Sequence, residues 1–106
     1  MKYLVNATEG PGFATPEEAV EVLEELVLPT FDALMELEKK GRIVGGLPVG
    51  ERSFVFIAEA ASNDELDAML RALPLWGILD WEVTPLQTVA RRAEIEREVV
   101  DQHKFT

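Results

Sequence analysis

Three carboxylates lie on strand-like parts of the sequence, where they could act as an acid or a base. Glu59 follows the apolar run 54–58, and Asp80 and Glu82 alternate with the apolar residues of 79–83. Because side chains alternate along a strand, Asp80 and Glu82 share one face. A carboxylate beside apolar walls is a stronger base and is suited to moving a proton on carbon. We therefore take Glu59, Asp80 and Glu82 as candidate catalytic residues; the alternative is that all three meet water at strand edges.

Other kinds of catalytic chemistry have less support. The chain has no cysteine, which excludes disulfides, thiolate catalysis and cysteine-ligated metals. Its single histidine, His103, lies in the C-terminal tail, which is a poor support for a catalytic base. No phosphate-binding or dinucleotide-binding motif is present. We expect no metal and no cofactor.

Five further residues are candidates for binding a ligand. Asn6 and Thr8 share one face of the first predicted strand, where they could orient a ligand carbonyl or bond each other or water. Tyr3, Arg52 and Trp76 are possible pocket residues. Trp76 equally suits packing in a core or an interface.

Composition limits the partners. A net charge of −10 over 106 residues would repel a phosphate backbone, so we expect no nucleic-acid partner. No apolar run approaches the length of a membrane span, and the N-terminus is too short and mixed for a signal peptide. We expect a cytoplasmic protein with no membrane association.

Hydrophobic periodicity predicts four strands and three helices. The predicted strands are 2–9, 42–49, 53–60 and 79–85, and the predicted helices begin near 16, 63 and 88. Thr15 and Ser62 each precede a glutamate by three residues, which is the pattern of a capping box. The turn at 10–12 separates the first strand from the first helix, and Pro29 predicts a kink or break near 27–30.

The order of these elements is β-α-β-β-α-β followed by an extra helix. It predicts an α+β fold, the ferredoxin-like split β-α-β, with an antiparallel sheet and both main helices on one face. We expect a domain over 1–87 and a C-terminal helix and tail over 88–106.

This arrangement leaves one face of the sheet uncovered. The third strand is apolar on both faces, so we expect a second copy of the chain to cover the face that the helices leave open. The protein should then be a homodimer or a higher homo-oligomer, and its last helix should clasp a neighbouring subunit. The alternative is that the last helix folds back over this face.

The C-terminal part of the domain resembles a known family. Residues 64–86 read DELDAMLRALPLWGILDWEVTPL, a short helix, a Leu-Pro-Leu turn and an Asp-x-Glu-Val strand. This sequence is similar to the end of the muconolactone isomerase family, and a looser likeness extends back to residue 1. The resemblance implies a dimeric α/β barrel that shifts a proton within an unsaturated lactone without a cofactor.

Two functions follow from these observations. One is a cofactor-independent isomerase or lyase acting on a small unsaturated or aromatic-derived acid. The other is a non-catalytic, oligomeric ligand-binding or scaffold protein of the same fold. Enzymes of the resembling family carry a histidine and polar aromatic residues in the loop before the third strand. The loop 46–52 has neither, which favours the second function.

Overall fold

The computed structural model describes residues 1–9 and 14–104, so the predicted turn at 10–12 lies outside the described residues. Eight main elements follow one another: β1 (Lys2–Glu9), α1 (Pro16–Val22), α2 (Leu28–Lys39), β2 (Ile43–Gly46), β3 (Ser53–Glu59), α3 (Asn63–Arg71), β4 (Leu79–Leu86) and α4 (Val89–Lys104). A π-helical turn, Leu23–Val27, joins α1 to α2, and a 3₁₀ turn, Trp76–Ile78, precedes β4.

The described strands form one antiparallel sheet in the order β2-β3-β1-β4. This order is that of the ferredoxin-like split β-α-β, so the predicted fold class is confirmed. β1 lies in the middle of the sheet, between β3 and β4. Any side chain on β1 therefore has cross-strand neighbours on both sides.

The two faces of the sheet differ in what covers them. Tyr3, Val5 and Ala7 of β1 and their partners Phe54, Phe56 and Ala58 of β3 are buried under the helices. We call the opposite side the open face; it carries Leu4, Asn6 and Thr8 of β1 and the even-numbered residues of β4. On this face Ile57 is 39% exposed and Val44 is 69% exposed. The third strand is therefore apolar on both sides, as its sequence predicts.

The helices begin where the capping residues predict. The Thr15 hydroxyl accepts a hydrogen bond from the Glu18 amide at 3.1 Å, and the Ser62 hydroxyl accepts one from the Glu65 amide at the same distance. Gly41, with φ +72°, ends α2. Apolar side chains of these helices, including Val27, Leu34, Leu66 and Leu70, complete the core with the buried face of the sheet.

The proline does not end the first helical segment. The helix widens into the π turn directly before Pro29, where the Leu28 amide bonds the Leu23 carbonyl five residues back. Because proline has no amide hydrogen and crowds the preceding turn, a wider turn at this point keeps the helix continuous. Where the sequence predicts a kink or break near 27–30, the structure has a π-helical turn between two α-helical segments.

A buried hydroxyl next to this turn joins the helix to the chain before β4. Thr30 donates from Oγ1 to the Leu26 carbonyl at 2.8 Å and accepts from the Leu75 amide at 3.0 Å. Thr30 is 1% exposed, and Leu75 is fully buried. This bond fixes the Leu-Pro-Leu turn against α2, and Trp81 then bonds through Nε1 to the Trp76 carbonyl at 3.0 Å.

Replacing Thr30 with valine should test this link. The Thr30→Val substitution keeps the shape and leaves the buried Leu75 amide without an acceptor, so we expect a loss of about 1–3 kcal/mol in the free energy of unfolding. Urea denaturation followed by tryptophan fluorescence measures it. Thr30→Ser keeps the hydroxyl and should lose less; equal stability of the valine variant and the natural chain would contradict the link.

Gly45 allows β2 and β3 to approach closely. Its φ is +139°, and an added Cβ would lie 2.7 Å from both the Phe56 Cα and the Val55 carbonyl oxygen. The neighbouring Gly46 would place a Cβ with nothing within 4 Å. β2 is four residues long although the sequence predicts eight; it ends two residues before Pro48, which has no amide hydrogen to donate to a strand ladder.

The two glycines form a matched pair for substitution. We expect Gly45→Ala to lower the free energy of unfolding by about 1–3 kcal/mol, because the strand must shift to admit the methyl group. Gly46→Ala should change it by less than about 1 kcal/mol. Thermal unfolding of both variants measures the difference, and equal effects would show that the close approach at Gly45 is unimportant.

Candidate functional site

The open face brings four of the predicted site residues together. In the register of β1 with β4, Thr8 lies opposite Asp80, and Asn6 lies opposite Glu82. Directly opposite residues on an antiparallel pair have Cβ atoms about 4.5–5.5 Å apart. We call Asn6, Thr8, Asp80 and Glu82 the polar cluster. It lines a shallow depression of about 320 Å³ whose edge is formed by Trp81.

The members of the polar cluster differ in their contact with water. Thr8, Asp80 and Glu82 are exposed, whereas Asn6 is half-buried in the central strand. The Asn6 Oδ1 atom is fully buried and has no hydrogen-bond partner among the described residues. Since buried polar atoms are nearly always paired, this oxygen is an unsatisfied acceptor, and it can bond a group that enters the depression only when the Asn6 side chain rotates.

Glu59 lies apart from the polar cluster. It stands at the end of β3, opposite Lys2, and accepts a hydrogen bond from the Met1 ammonium group at 3.1 Å. It shares the open face with the cluster but lies at the other end of the central strand. The three predicted carboxylates therefore do not converge: Asp80 and Glu82 form a pair, and Glu59 stands alone.

The remaining predicted ligand residues lie elsewhere. Tyr3 is buried on the helix-covered side, where its hydroxyl donates to Asn63 Oδ1 at 2.6 Å. The ring of Trp76 packs under the Arg71 guanidinium, whose centre is 4.4 Å from the ring centroid. Arg52 is exposed in the loop between β2 and β3. None of the three faces the polar cluster.

A second concave region lies on the other side of the sheet, and the sequence analysis missed it. Two chambers of about 360 and 340 Å³ lie between α1 and α2 on one side and β2 and β3 on the other. They share Phe31, Leu47 and Phe54 as lining residues. We call the two chambers together the helix–sheet cleft.

Gly45 and Gly46 are among the residues that line the chamber of about 360 Å³, and Gly45 lies opposite Phe56 of β3. The sequence signal that could have pointed to this region was glycine within a predicted strand, because such a glycine marks a bulge or a close approach of two backbones. The walls are almost entirely apolar; the charged lining residues are Glu38 in one chamber and Glu51 and Arg52 in the other.

The described residues offer no cluster that could bind a metal. Within 1–9 and 14–104, no group of three or more histidine, cysteine, aspartate or glutamate side chains is placed to hold a metal ion. His103 lies on α4, where Nδ1 is 2.9 Å from the Val99 carbonyl oxygen. Across the same residues, no helix has the length and apolar character that crossing a membrane requires.

The comparisons with known proteins agree with this geometry. The family model for muconolactone delta-isomerase matches residues 1–91. A solved structure of muconolactone isomerase superimposes with a TM-score of 0.67 at 22% identity, over 83% of this chain and 90% of that chain. No curated protein matches the chain significantly.

A second solved structure has the same fold. It is 5-chloro-2-hydroxyhydroquinone dehydrochlorinase from Burkholderia phenoliruptrix AC1100, in complex with 2,5-dihydroxybenzoquinone. The TM-score is 0.59 at 19% identity, over 86% of this chain and 98% of that chain. At these identities both likenesses establish the fold.

Proposed function

The chain belongs to the muconolactone delta-isomerase family, and we propose that it is a cofactor-independent isomerase or lyase acting on a small unsaturated or aromatic-derived acid or its lactone. Asp80 and Glu82 supply the acid and base, and Asn6 and Thr8 orient the substrate. The observation that carries this proposal is the register of β1 with β4, which sets both carboxylates directly opposite the two hydrogen-bonding side chains.

The reaction needs only a proton to move between carbons. A carboxylate removes a proton from the carbon next to a carbonyl group, and the electron pair moves into a conjugated enolate. In an isomerisation the same proton, or one from the second carboxyl group, returns to a different carbon, so the double bond shifts. In a lyase a leaving group departs with the electron pair instead. Hydrogen bonds to the carbonyl oxygen stabilise the charge that develops there.

The donors for that oxygen are available in the polar cluster. The Thr8 hydroxyl and the Asn6 amide group lie beside the carboxylates on the same face, and the unpaired Asn6 Oδ1 can accept from a substrate hydroxyl once the side chain rotates. Two carboxylates repel an anion, so the acid group of the substrate must point away from Asp80 and Glu82. The carbonyl end of the substrate then enters the depression.

A second copy of the chain would make the polar cluster a better catalyst. In the single chain Asp80 and Glu82 are exposed, and hydrated carboxylates are weak bases. The neighbouring part of the open face is apolar, with Leu4, Val44 and Ile57 partly exposed. Pairing the open faces of two copies would bury these residues and remove water from the cluster. We therefore propose a homodimer or higher homo-oligomer as the active form.

Substitution of the carboxylates tests the proposed chemistry. A screen of unsaturated lactones and related small acids, beginning with muconolactone and followed by ultraviolet absorbance, identifies a substrate. On that substrate we expect Asp80→Asn or Glu82→Gln to lower the rate by about 10²–10⁴-fold, the usual loss when a general base is removed. Glu59→Gln is the matched comparison, because Glu59 is on the same face at the other end of the sheet, and it should keep most of the activity.

The outcomes separate the two functions. Activity that survives both Asp80→Asn and Glu82→Gln would remove the carboxylate pair from the mechanism. Absence of turnover across the whole screen would support the non-catalytic alternative, an oligomeric ligand-binding or scaffold protein.

The assembly has its own test. Light scattering at micromolar concentration should give a mass at least twice the 11.8 kDa of one chain. Val44→Asp places a charge on the open face and should lower the measured mass. Val49→Asp is the control, because Val49 is fully exposed in the loop after β2. A natural chain of 11.8 kDa, or equal masses for both variants, would contradict pairing through the open face.

A further inference from the structure

The side chains of the open face form four rows that run across the strands. The register places Leu4 of β1 between Thr84 of β4 and Ile57 of β3, and Val44 of β2 continues that row. We call these four residues the apolar row; Leu4, Ile57 and Val44 are 38%, 39% and 69% exposed. The other three rows, each read from β4 towards β2, are Leu86, Lys2 and Glu59; Glu82, Asn6, Val55 and Gly46; and Asp80, Thr8 and Ser53.

Two copies can pair their open faces about a twofold axis in two ways. An axis parallel to the strands keeps every row at its own height, so the apolar row of one copy covers the apolar row of the other. An axis perpendicular to the strands, lying between the two faces, reverses the order of the rows and sets the apolar row against the polar cluster. Of the two, the parallel axis buries the exposed apolar side chains against one another.

Charge favours the same axis. Under the parallel axis β1 of one copy lies over β3 of the other, so Lys2 lies over Glu59 of the second copy. β4 then lies over β2, whose four residues carry no charge. Under the perpendicular axis β4 lies over β4, and the Glu82 carboxylates of the two copies approach each other. No ion pair within the described part of the chain compensates Asp80 or Glu82.

Gly46 is the residue that the parallel axis places over Glu82. Its backbone does not need glycine, since its φ is not positive, and an added Cβ would meet nothing within 4 Å. A glycine inside a strand often marks a place where a ligand or another backbone comes close. Gly46 is exposed on the open face, in the same row as Asn6 and Glu82. A group from outside the chain is therefore the reason that this position suits glycine.

We infer that Gly46 of a second copy completes the polar cluster, with the twofold axis parallel to the strands. This inference rests on the pairing of open faces in the proposed function. Packed sheets lie about 10 Å apart, and without a side chain on Gly46 part of that distance stays free beside Glu82 for a small substrate. Each of the two equivalent sites is built from β1 and β4 of one copy and β2 of the other. A single chain holds only part of the site.

Cysteine cross-linking tests the contact, because the natural chain has no cysteine. We expect the double variant Gly46→Cys/Glu82→Cys to form a covalent dimer on mild oxidation, seen on a non-reducing gel. The disulfide cannot form within one chain, because β2 and β4 are separated by two strands and lie about 14 Å apart. The control Gly46→Cys/Leu86→Cys keeps both thiols on the open face but two rows apart, and it should not cross-link.

Two cross-linking results would overturn the inference. A covalent dimer from Glu82→Cys alone would place β4 over β4 of the second copy, as the perpendicular axis requires. Absence of a cross-link between positions 46 and 82 in a chain that light scattering shows to be oligomeric would remove Gly46 from the site. If Val44→Asp lowers the mass while no such cross-link forms, pairing of the open faces stands and the role of Gly46 alone fails.

Reversal of charge at Gly46 gives an independent readout. A carboxylate at this position would repel Glu82 of the second copy, and an ammonium group would attract it. We therefore expect Gly46→Asp to raise and Gly46→Lys to lower the dissociation constant of the assembly, with at least about a tenfold difference between them, measured by sedimentation.

Gly77 is the matched control position. It is also a glycine without a positive φ whose added Cβ would meet nothing within 4 Å, and it lies in the 3₁₀ turn before β4. The pair Gly77→Asp and Gly77→Lys gives the effect of net charge alone and should show a much smaller difference. Equal differences at the two positions, or weakening by both Gly46 variants, would overturn the inference. Neither experiment measures turnover, so the results do not depend on the proposed reaction.

Discussion

The arrangement of the helices on one face of the sheet is the constraint on which the rest of the structure depends. Each helical connection of a split β-α-β unit crosses the sheet in the same right-handed sense, so both crossovers are delivered to one side. Val27 and Leu34 from the first crossover and Leu66 and Leu70 from the second fill that side. The other side keeps Asn6 and its neighbours in contact with water. The open face and the polar cluster on it follow from this one-sided packing, and the proposal of a second copy rests on it.

The sequence predicted those features that depend on local patterns. The alternation of apolar and polar residues along β1 and β4 predicted which side chains share a face, and Thr15 and Ser62 predicted where two helices begin. Both predictions succeed because capping and pleating act over a few residues. The meeting of Asn6 with Glu82 required the register between strands 76 residues apart, which no local pattern contains. Tyr3 was named a possible pocket residue; its alternation partners Val5 and Ala7 place it on the helix-covered face, where it lines a depression with Asn63 and Leu66. The helix–sheet cleft depends on how α1 and α2 pack against β2 and β3, which no local pattern contains.

Chemistry and assembly are coupled in the proposed function. The family to which the chain belongs accounts for the fold, but the loop 46–52 carries no histidine and no tyrosine, and we propose that the acid–base groups come from the sheet. Asp80 and Glu82 can fill this role only where water is excluded, and the chain alone leaves them exposed. A ligand or second subunit that covers the open face would stabilise the assembly by mass action, and assembly would in turn strengthen the base. The Asn6 oxygen is buried without a partner among the described residues, and rotation of this side chain would let an incoming group gain a hydrogen bond there.

The net negative charge of the chain opposes the association of two copies. Two bodies that are both strongly acidic repel each other over about a Debye length, which is roughly 8–10 Å in physiological salt. Short-range apolar contact must therefore exceed a longer-range repulsion, and the exposed valine and isoleucine side chains of the open face offer only a modest area. On this argument salt should strengthen any association through the open face, because it screens the acidic bodies and leaves the buried apolar contacts unchanged.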